Sequence, residues 1–140
     1  MKHLISILSL FAITNVGFAS DFDYADMFDG KIICELTDPE NFTMDPPTIE
    51  APLNRQKCST NEIQPGCGDG WQGSLKGKLQ DFEVEVLVGH TALYDLRFTH
   101  RPTGINLHWN SHPIPGTHQK RLDLSHKKEK LNARIHCFLN

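Results

Sequence analysis

The feature that most constrains the fold of this chain is the alternation of apolar and polar side chains between Phe82 and Val88. The apolar residues Phe82, Val84, Val86 and Val88 are separated by Glu83, Glu85 and Leu87. Side chains two residues apart in a strand share a face. The pattern therefore predicts an antiparallel strand with one face on a core and the other in water. The segment 92–100, ALYDLRFTH, repeats the alternation.

A three-residue loop, Gly89–Thr91, would join these two segments into a hairpin with an apolar inner face. This register predicts four inner pairs: Phe82 with Phe98, Val84 with Leu96, Val86 with Tyr94, and Val88 with Ala92. On the outer face it sets Glu83 opposite Arg97, which is favourable, and Glu85 opposite Asp95, which is not. A slip of one residue would place valines opposite charges, so this register is preferred.

Two further turns extend the β pattern into a C-terminal meander. The loop 101–104 predicts a third strand, with these pairs: His100 with Ile105, Phe98 with Leu107, Leu96 with Trp109, Thr99 with Asn106, Arg97 with His108, and Asp95 with Asn110. A last hairpin would join 120–125 to 131–139 through the four-residue loop 127–130, pairing Leu124 with Ala133, Leu122 with Ile135, and Asp123 with Arg134. A six-residue loop would set Arg121 against Arg134 and is disfavoured by repulsion.

Four cysteines predict two disulfides, because an even count in a small exported domain is typical of a covalent framework. Three connectivities are open. We favour Cys34 with Cys137, which joins the first strand (31–36) to the last, and Cys58 with Cys67, which closes a short loop. A zinc site would be expected to show CxxC spacing, which the sequence lacks.

The N-terminal residues 1–19 predict a cleaved secretory signal peptide. Lys2 precedes an apolar run, and small residues stand at Gly17 and Ala19. The run is too short to span a membrane, so we expect no stable membrane insertion of the mature chain. Residues 20–140 are then expected to form a single all-β domain that is secreted or periplasmic. The chain carries a net charge of −3, which makes nucleic acid a poor partner.

Residues 38–70 predict a long irregular loop, because they are dense in proline, aspartate, asparagine and glycine. Such a connection in a compact domain is usually functional or pinned down. We expect it to be a contact surface, with Arg55, Asp69 and Trp71 as candidate binding residues. The alternative for Trp71 is that it packs beneath its own loop. Asn41 begins a glycosylation sequon, which matters only in a eukaryotic host.

Histidines crowd the stretch from His90 to His118 and raise the question of a metal site. In a strand, His108 and His112 would lie about 13 Å apart, which one zinc ion with bonds near 2.0 to 2.1 Å cannot bridge. We therefore predict no metal site and no cofactor. Glu83, Arg97 and His108 would form a row on the outer face that could bind an anion, although a solvated ladder of cross-strand pairs is the simpler interpretation.

The sequence contains no pattern that identifies a catalytic site. Ser74 in WQGSLKG matches neither a nucleophile elbow nor an SxxK motif, and there is no phosphate-binding or dinucleotide-binding glycine loop. We expect a small, disulfide-stapled, antiparallel β-sandwich or β-barrel of about seven strands. We expect a monomeric binding module or inhibitor whose partner is an extracytoplasmic protein or glycan. We do not expect an enzyme. The alternatives are a histidine-based metal or anion binder and a small hydrolase.

Overall fold

The computed structural model describes residues 24–41, 43–57 and 70–140, and they form two antiparallel sheets packed as a sandwich. A 3₁₀ turn (Tyr24–Met27) precedes nine strands: β1 (Lys31–Thr37), β2 (Thr48–Pro52), β3 (Asn54–Gln56), β4 (Gly70–Leu79), β5 (Phe82–Gly89), β6 (Ala92–His100), β7 (Ile105–Asn110), β8 (Gln119–His126) and β9 (Leu131–Leu139). The strand order is β2-β1-β9-β8 in one sheet and β3-β4-β5-β6-β7 in the other. The all-β prediction is confirmed, in its sandwich form.

The core lies between the inner faces of the two sheets. Its fully buried side chains come from both: Ile32, Cys34, Val84, Val86, Leu93, Leu96, Phe98, Ile135 and Cys137. Burial alternates residue by residue along β1 and most of β5, as period-two patterning requires. No helix in the described ranges has the length and apolarity needed to cross a bilayer.

The disulfide between Cys34 and Cys137 is confirmed. The two residues lie opposite each other on β1 and β9, with Cα atoms 4.1 Å apart and a sequence separation of 103. Both are fully buried, so the bond crosses the inner face of the four-stranded sheet. The predicted bridge between Cys58 and Cys67 lies outside the described residues.

The segment 38–70 contains two strands, which the sequence analysis did not predict. β2 pairs with β1 in one sheet, and β3 pairs with β4 in the other. The buried Leu53 lies between them and donates its N–H to the carbonyl of Gly30 at 2.7 Å. The chain thus changes sheets at Leu53 and joins the two layers along one side. These two strands raise the count from about seven to nine.

The predicted pairings of β6 with β7 and of β8 with β9 are confirmed, but the predicted register of β5 with β6 is wrong. The observed pairs are Phe82 with His100, Val84 with Phe98, Val86 with Leu96, Glu83 with Thr99, and Glu85 with Arg97. The connection is a two-residue turn, and a bulge next to Leu87 and Val88 leaves Tyr94 without a partner in the ladder. The register therefore moves by two residues, which keeps Leu96 and Phe98 on the inner face. Beyond the bulge the predicted inner residue Tyr94 is replaced by Leu93, which is fully buried.

The turn at His90 and Thr91 explains the difference in register. Both residues have positive φ, 50° and 60°, a conformation that favours Asn-Gly and is unusual for a β-branched residue. Thr91 donates its N–H to the Trp71 carbonyl at 2.9 Å, and Trp71 donates its N–H to Thr91 Oγ1 at 3.0 Å. Hydrogen bonds to β4 thus hold the turn, so the identities of His90 and Thr91 alone do not predict it.

Candidate functional site

The structure brings together two of the three predicted binding residues, Arg55 and Trp71. They lie opposite each other on β3 and β4, and the Arg55 guanidinium carbon is 5.8 Å from the centroid of the indole ring. The same guanidinium forms an ion pair with Asp26. Asp69 lies outside the described residues.

Trp71 packs against the N-terminal turn. Its indole N–H donates to the carbonyl of Ala25 at 2.8 Å, and a Cβ built on Gly30 would lie 2.6 Å from the indole ring. The ring is therefore packed closely against the backbone at Gly30 and linked by its hydrogen bond to the 3₁₀ turn. The ring therefore has a structural role, but its contacts are with the N-terminal turn and Gly30, whereas the sequence alternative had it packing beneath its own loop.

The histidines are spread over the sandwich. His108 stands on the outer face beside Arg97, as predicted, and His112 is exposed after the end of β7. His100 lies opposite Ile105 as predicted, but it is 9% exposed and therefore belongs to the interior. Within the described ranges, no group of three histidine, cysteine, aspartate or glutamate residues is arranged to hold a metal ion.

The predicted outer row of Glu83, Arg97 and His108 is wrong because the β5–β6 register differs. The observed row runs Lys76, Glu85, Arg97, His108 across four strands, with an ion pair between Lys76 and Glu85. Ser74 lies on β4, three strands from β7, which at about 4.8 Å per strand puts it roughly 14 Å from His108. That separation excludes direct activation of the serine by this imidazole.

A concave site lies on the outer face of the four-stranded sheet. Glu35, His136 and Arg121 stand directly opposite one another on β1, β9 and β8. A cavity of about 230 Å³ opens over them, lined by Glu35, Thr37, Asp38, Pro39, Arg121, Arg134 and His136. We call this cavity, with these lining residues, the β1–β9–β8 groove.

His136 is the residue of the groove whose hydrogen bonding is incomplete. Its side chain is 17% exposed, and Nδ1 lies 3.8 Å from Glu35 Oε2. Nε2 is buried and has no hydrogen-bond partner. Burial, followed by the charge of Arg121, lowers the pKa of His136 below its usual value of 6.5, so the ring is neutral at pH 7.

The tautomer of His136 follows from the acid that it faces. A carboxylate can only accept hydrogen bonds, so the single ring proton is best placed on Nδ1, towards Glu35. Nε2 is then a buried lone pair without a donor. An unsatisfied buried polar atom costs about 1–3 kcal/mol, and a ligand that donates a hydrogen bond there would remove this cost.

Arg121 supplies hydrogen-bond donors and a positive charge beside the acceptor of His136. It is exposed, and it forms no hydrogen bond or ion pair with the part of the chain that the structure describes. Arg134, by contrast, donates from Nε to Asp123 Oδ1 at 2.6 Å. The half-buried ring of Phe138 lies 5.0 Å from the imidazole of His136 and extends the site with an apolar surface. The groove therefore offers a hydrogen-bond acceptor and a charged donor side by side, and the aromatic ring of Phe138 lies next to its wall.

The sequence analysis missed the groove although its signal was present. The predicted disulfide joins Cys34 to Cys137, and with the two strands antiparallel it places Glu35 opposite His136. The correctly predicted β8–β9 register then adds Arg121 beside His136. The prediction for β9 used only its inward-facing side chains and assigned no role to those on its outer face.

Comparisons with known proteins do not assign this chain to a family: no family model, no curated protein and no solved structure matches it.

Proposed function

We propose that the protein is an exported binding module that holds a glycan in the β1–β9–β8 groove. Export is supported by the signal-like pattern of residues 1–19 and is compatible with the buried disulfide between Cys34 and Cys137. The observation that carries the binding proposal is the unpartnered Nε2 of His136 in the wall of a concave site, a hydrogen-bond acceptor that the imidazole would offer to a ligand by turning towards the cavity.

Hydroxyl groups suit this site better than groups with a single hydrogen-bonding role. A hydroxyl can donate to His136 Nε2 and accept from the Arg121 guanidinium at the same time, whereas a carboxylate could satisfy only the arginine. The Phe138 ring supplies an apolar surface for the C–H face of a sugar ring. A few placed polar groups beside an aromatic side chain are typical of ligand sites.

Asp38, one of the two acids of the groove, lacks the raised pKa of a glycosidase general acid. Asp38 accepts hydrogen bonds from the Asn41 side chain at 2.7 Å and the Glu40 N–H at 2.9 Å. The bond from Asn41, followed by that from Glu40, lowers the pKa of Asp38 below its ordinary value. A glycosidase acid needs a raised pKa in order to protonate the leaving oxygen. Asp38 is therefore badly suited to that role beside Glu35.

The direct test is a titration of the oxidised chain 20–140 with neutral oligosaccharides, followed by NMR. We expect shifts of the resonances of Arg121, His136 and Phe138. Arg121→Gln should weaken binding, and Lys78→Gln, an exposed change on the other sheet, should not. Shifts that ignore the groove, or equal binding by both variants, would refute the glycan proposal.

A capture experiment separates a glycan partner from a protein partner. The oxidised chain serves as bait for a native extracytoplasmic extract, and Arg121→Gln serves as the matched bait. Mild periodate, which cleaves vicinal diols, should abolish capture if a glycan is bound. Survival after periodate combined with loss after protease treatment would instead identify a protein partner.

The long connection between β3 and β4 is the other predicted contact surface, and its test must spare both strands. Deleting 54–70 would remove β3 and the first residue of β4. Replacing residues 58–69 alone leaves Arg55 and Trp71 in place. Loss of capture in that replacement, with normal capture by Arg121→Gln, would move the contact surface from the groove to the loop.

A further inference from the structure

A second cavity opens between the two sheets at the end of the sandwich where β1 ends and β5 begins. Both layers contribute apolar side chains: Leu36, Leu131 and Ala133 come from the four-stranded sheet, and Phe82 comes from the five-stranded sheet. The cavity measures about 350 Å³, within the usual range of small-molecule sites, roughly 300–1,000 Å³. We call it the end cleft.

The wall of the end cleft contains a buried histidine with one nitrogen unused. His100 is 9% exposed, its ring packs 4.8 Å from the ring of Phe82, and Nδ1 lies 2.7 Å from Thr103 Oγ1. Nε2 makes no hydrogen bond to any described residue. Nε2 is not fully buried, so it is accessible to water. An accessible imidazole nitrogen in a cavity wall is a polar group of the kind that orients a ligand.

The charges around the end cleft indicate which ligand it would take. Among the residues that the structure describes, its polar lining consists of Thr37, Asp38, Thr43, Gln80, Asp81, His100 and Asn132, with no lysine or arginine. Asp38 is occupied by its own turn, whereas the side chain of Asp81 has no partner among the described residues. A cleft lined by one sign of charge attracts the opposite sign.

We propose that the end cleft binds a small organic ammonium compound with an apolar body. The ammonium group would face Asp81 at the rim, and the body would contact Leu131 and Phe82 in the wall. His100 Nε2 would hydrogen-bond to a polar substituent on the body. An anion of the same shape would be rejected, since no lysine or arginine lines the cleft to receive it.

The test compares three compounds that share a phenethyl body and differ in charge: phenethylammonium, phenethyl alcohol and 3-phenylpropionate. Each is titrated into the oxidised chain 20–140, and NMR shifts at His100, Leu131 and Ala133 report occupancy. We expect the ammonium compound to bind at least several-fold more tightly than the alcohol and the carboxylate to bind weakest. Equal affinity for all three, or shifts located elsewhere, would overturn the proposal.

Two variants separate the charge contribution from the cavity. Asp81→Asn should weaken ammonium binding by about two- to fivefold, the range expected for an exposed ion pair, while the exposed Asp123→Asn on the other sheet face should change nothing. Leu131→Trp should fill the cleft and abolish binding. If ammonium still binds a folded Leu131→Trp variant, the end cleft is not the site.

Discussion

His108 lies with its Nε2 atom 3.0 Å from Asp95 Oδ2, across β6 and β7. Asn110 donates to the same oxygen at 2.8 Å, and Arg97 Nε lies 3.6 Å from the other oxygen. Asp95 is only 7% exposed although it stands on the outer face. Burial raises the pKa of Asp95, but the hydrogen bonds from His108 and Asn110 and the charges of His108 and Arg97 together outweigh it, and the pKa falls below its usual value.

Asp95→Asn should therefore destabilise the protein in a pH-dependent way. A carboxylate with a lowered pKa in the folded state stabilises the fold above the unfolded pKa of about 3.9, and this contribution is lost as pH falls through the folded pKa. We expect a loss of about 1–3 kcal/mol at pH 7, measured by urea unfolding, and a smaller difference from the wild type at pH 3.

The matched control is Asp123→Asn, because Asp123 is exposed and is also bonded to an arginine, Arg134. An exposed pair of this kind contributes about 0–1 kcal/mol. A difference between Asp95→Asn and the wild type that stays the same at pH 7 and pH 3 would show that the ionised carboxylate does not stabilise the fold.

His136 should titrate below its ordinary range, and Arg121→Gln should move its pKa upwards. Burial is the main cause of the lowered pKa, and the charge of Arg121 is the next. Because the folded pKa is lowered, the neutral ring favours the fold above pH 6.5, and this stability is lost as pH falls through the folded pKa. An NMR titration of the His136 ring proton measures both effects. Arg121→Lys, which keeps the charge, should leave the pKa nearly unchanged.

The same titration bears on the proposed glycan site. Protonation of His136 removes the Nε2 lone pair that would accept from a ligand hydroxyl. Oligosaccharide affinity should then fall with the same midpoint as the imidazole titration. If the affinity for the oligosaccharide stays constant from pH 7 to pH 4, His136 does not contribute to binding, whatever its pKa is.

The strands β1 and β5 to β9, and the pairings of β6 with β7 and of β8 with β9, could be predicted from the sequence, because side-chain alternation decides which residues face the core. The β5–β6 register could not. The predicted register accepted Glu85 opposite Asp95, whereas the observed one sets Glu85 between Lys76 and Arg97. That gain in electrostatics requires a bulge at Tyr94 and positive φ at His90 and Thr91, and the hydrogen bonds that hold this turn come from Trp71, a residue of β4.

The binding sites were harder to predict than the fold, because they depend on which strands become neighbours. The sequence named Arg55 and Trp71 as candidate binding residues, but it did not predict that they pair. Their contacts with Asp26 and Gly30 depend on the position of the N-terminal turn. The β1–β9–β8 groove needs three strands from opposite ends of the chain. Period-two patterning gives the face of each side chain and leaves the order of distant strands open.

Gly30→Ala should cost more stability than the replacement of a glycine in open space, because the added methyl group would collide with the Trp71 ring. Gly30 has a φ of 78°, and an added Cβ would lie 2.6 Å from the indole ring. Gly104 has a similar φ of 70° but nothing within 4 Å of the added atom. Gly104→Ala should therefore cost only the left-handed conformation, about 1–2 kcal/mol.

We expect Gly30→Ala to cost at least about 1 kcal/mol more than that, within the range known for overpacked sites. Urea unfolding gives the two free energies. The NMR resonance of the Trp71 indole N–H, which donates to Ala25, should shift only in Gly30→Ala. Equal losses in the two variants would mean that the ring can move aside freely.

The disulfide between Cys34 and Cys137 should contribute mainly by restricting the unfolded chain. The bridge closes a loop with a sequence separation of 103 residues, for which loop-closure entropy predicts about 4–5 kcal/mol. We expect the double variant Cys34→Ala/Cys137→Ala to lose about that much in urea unfolding. Its m-value should also rise, because an unfolded chain without the bridge exposes more surface.

Ile135→Val, a small truncation at a fully buried position of the same strand, controls for lost packing and should cost about 0.5–1.5 kcal/mol. A double variant that loses no more than Ile135→Val, with an unchanged m-value, would show that the bridge contributes packing alone and leaves the unfolded ensemble unaffected.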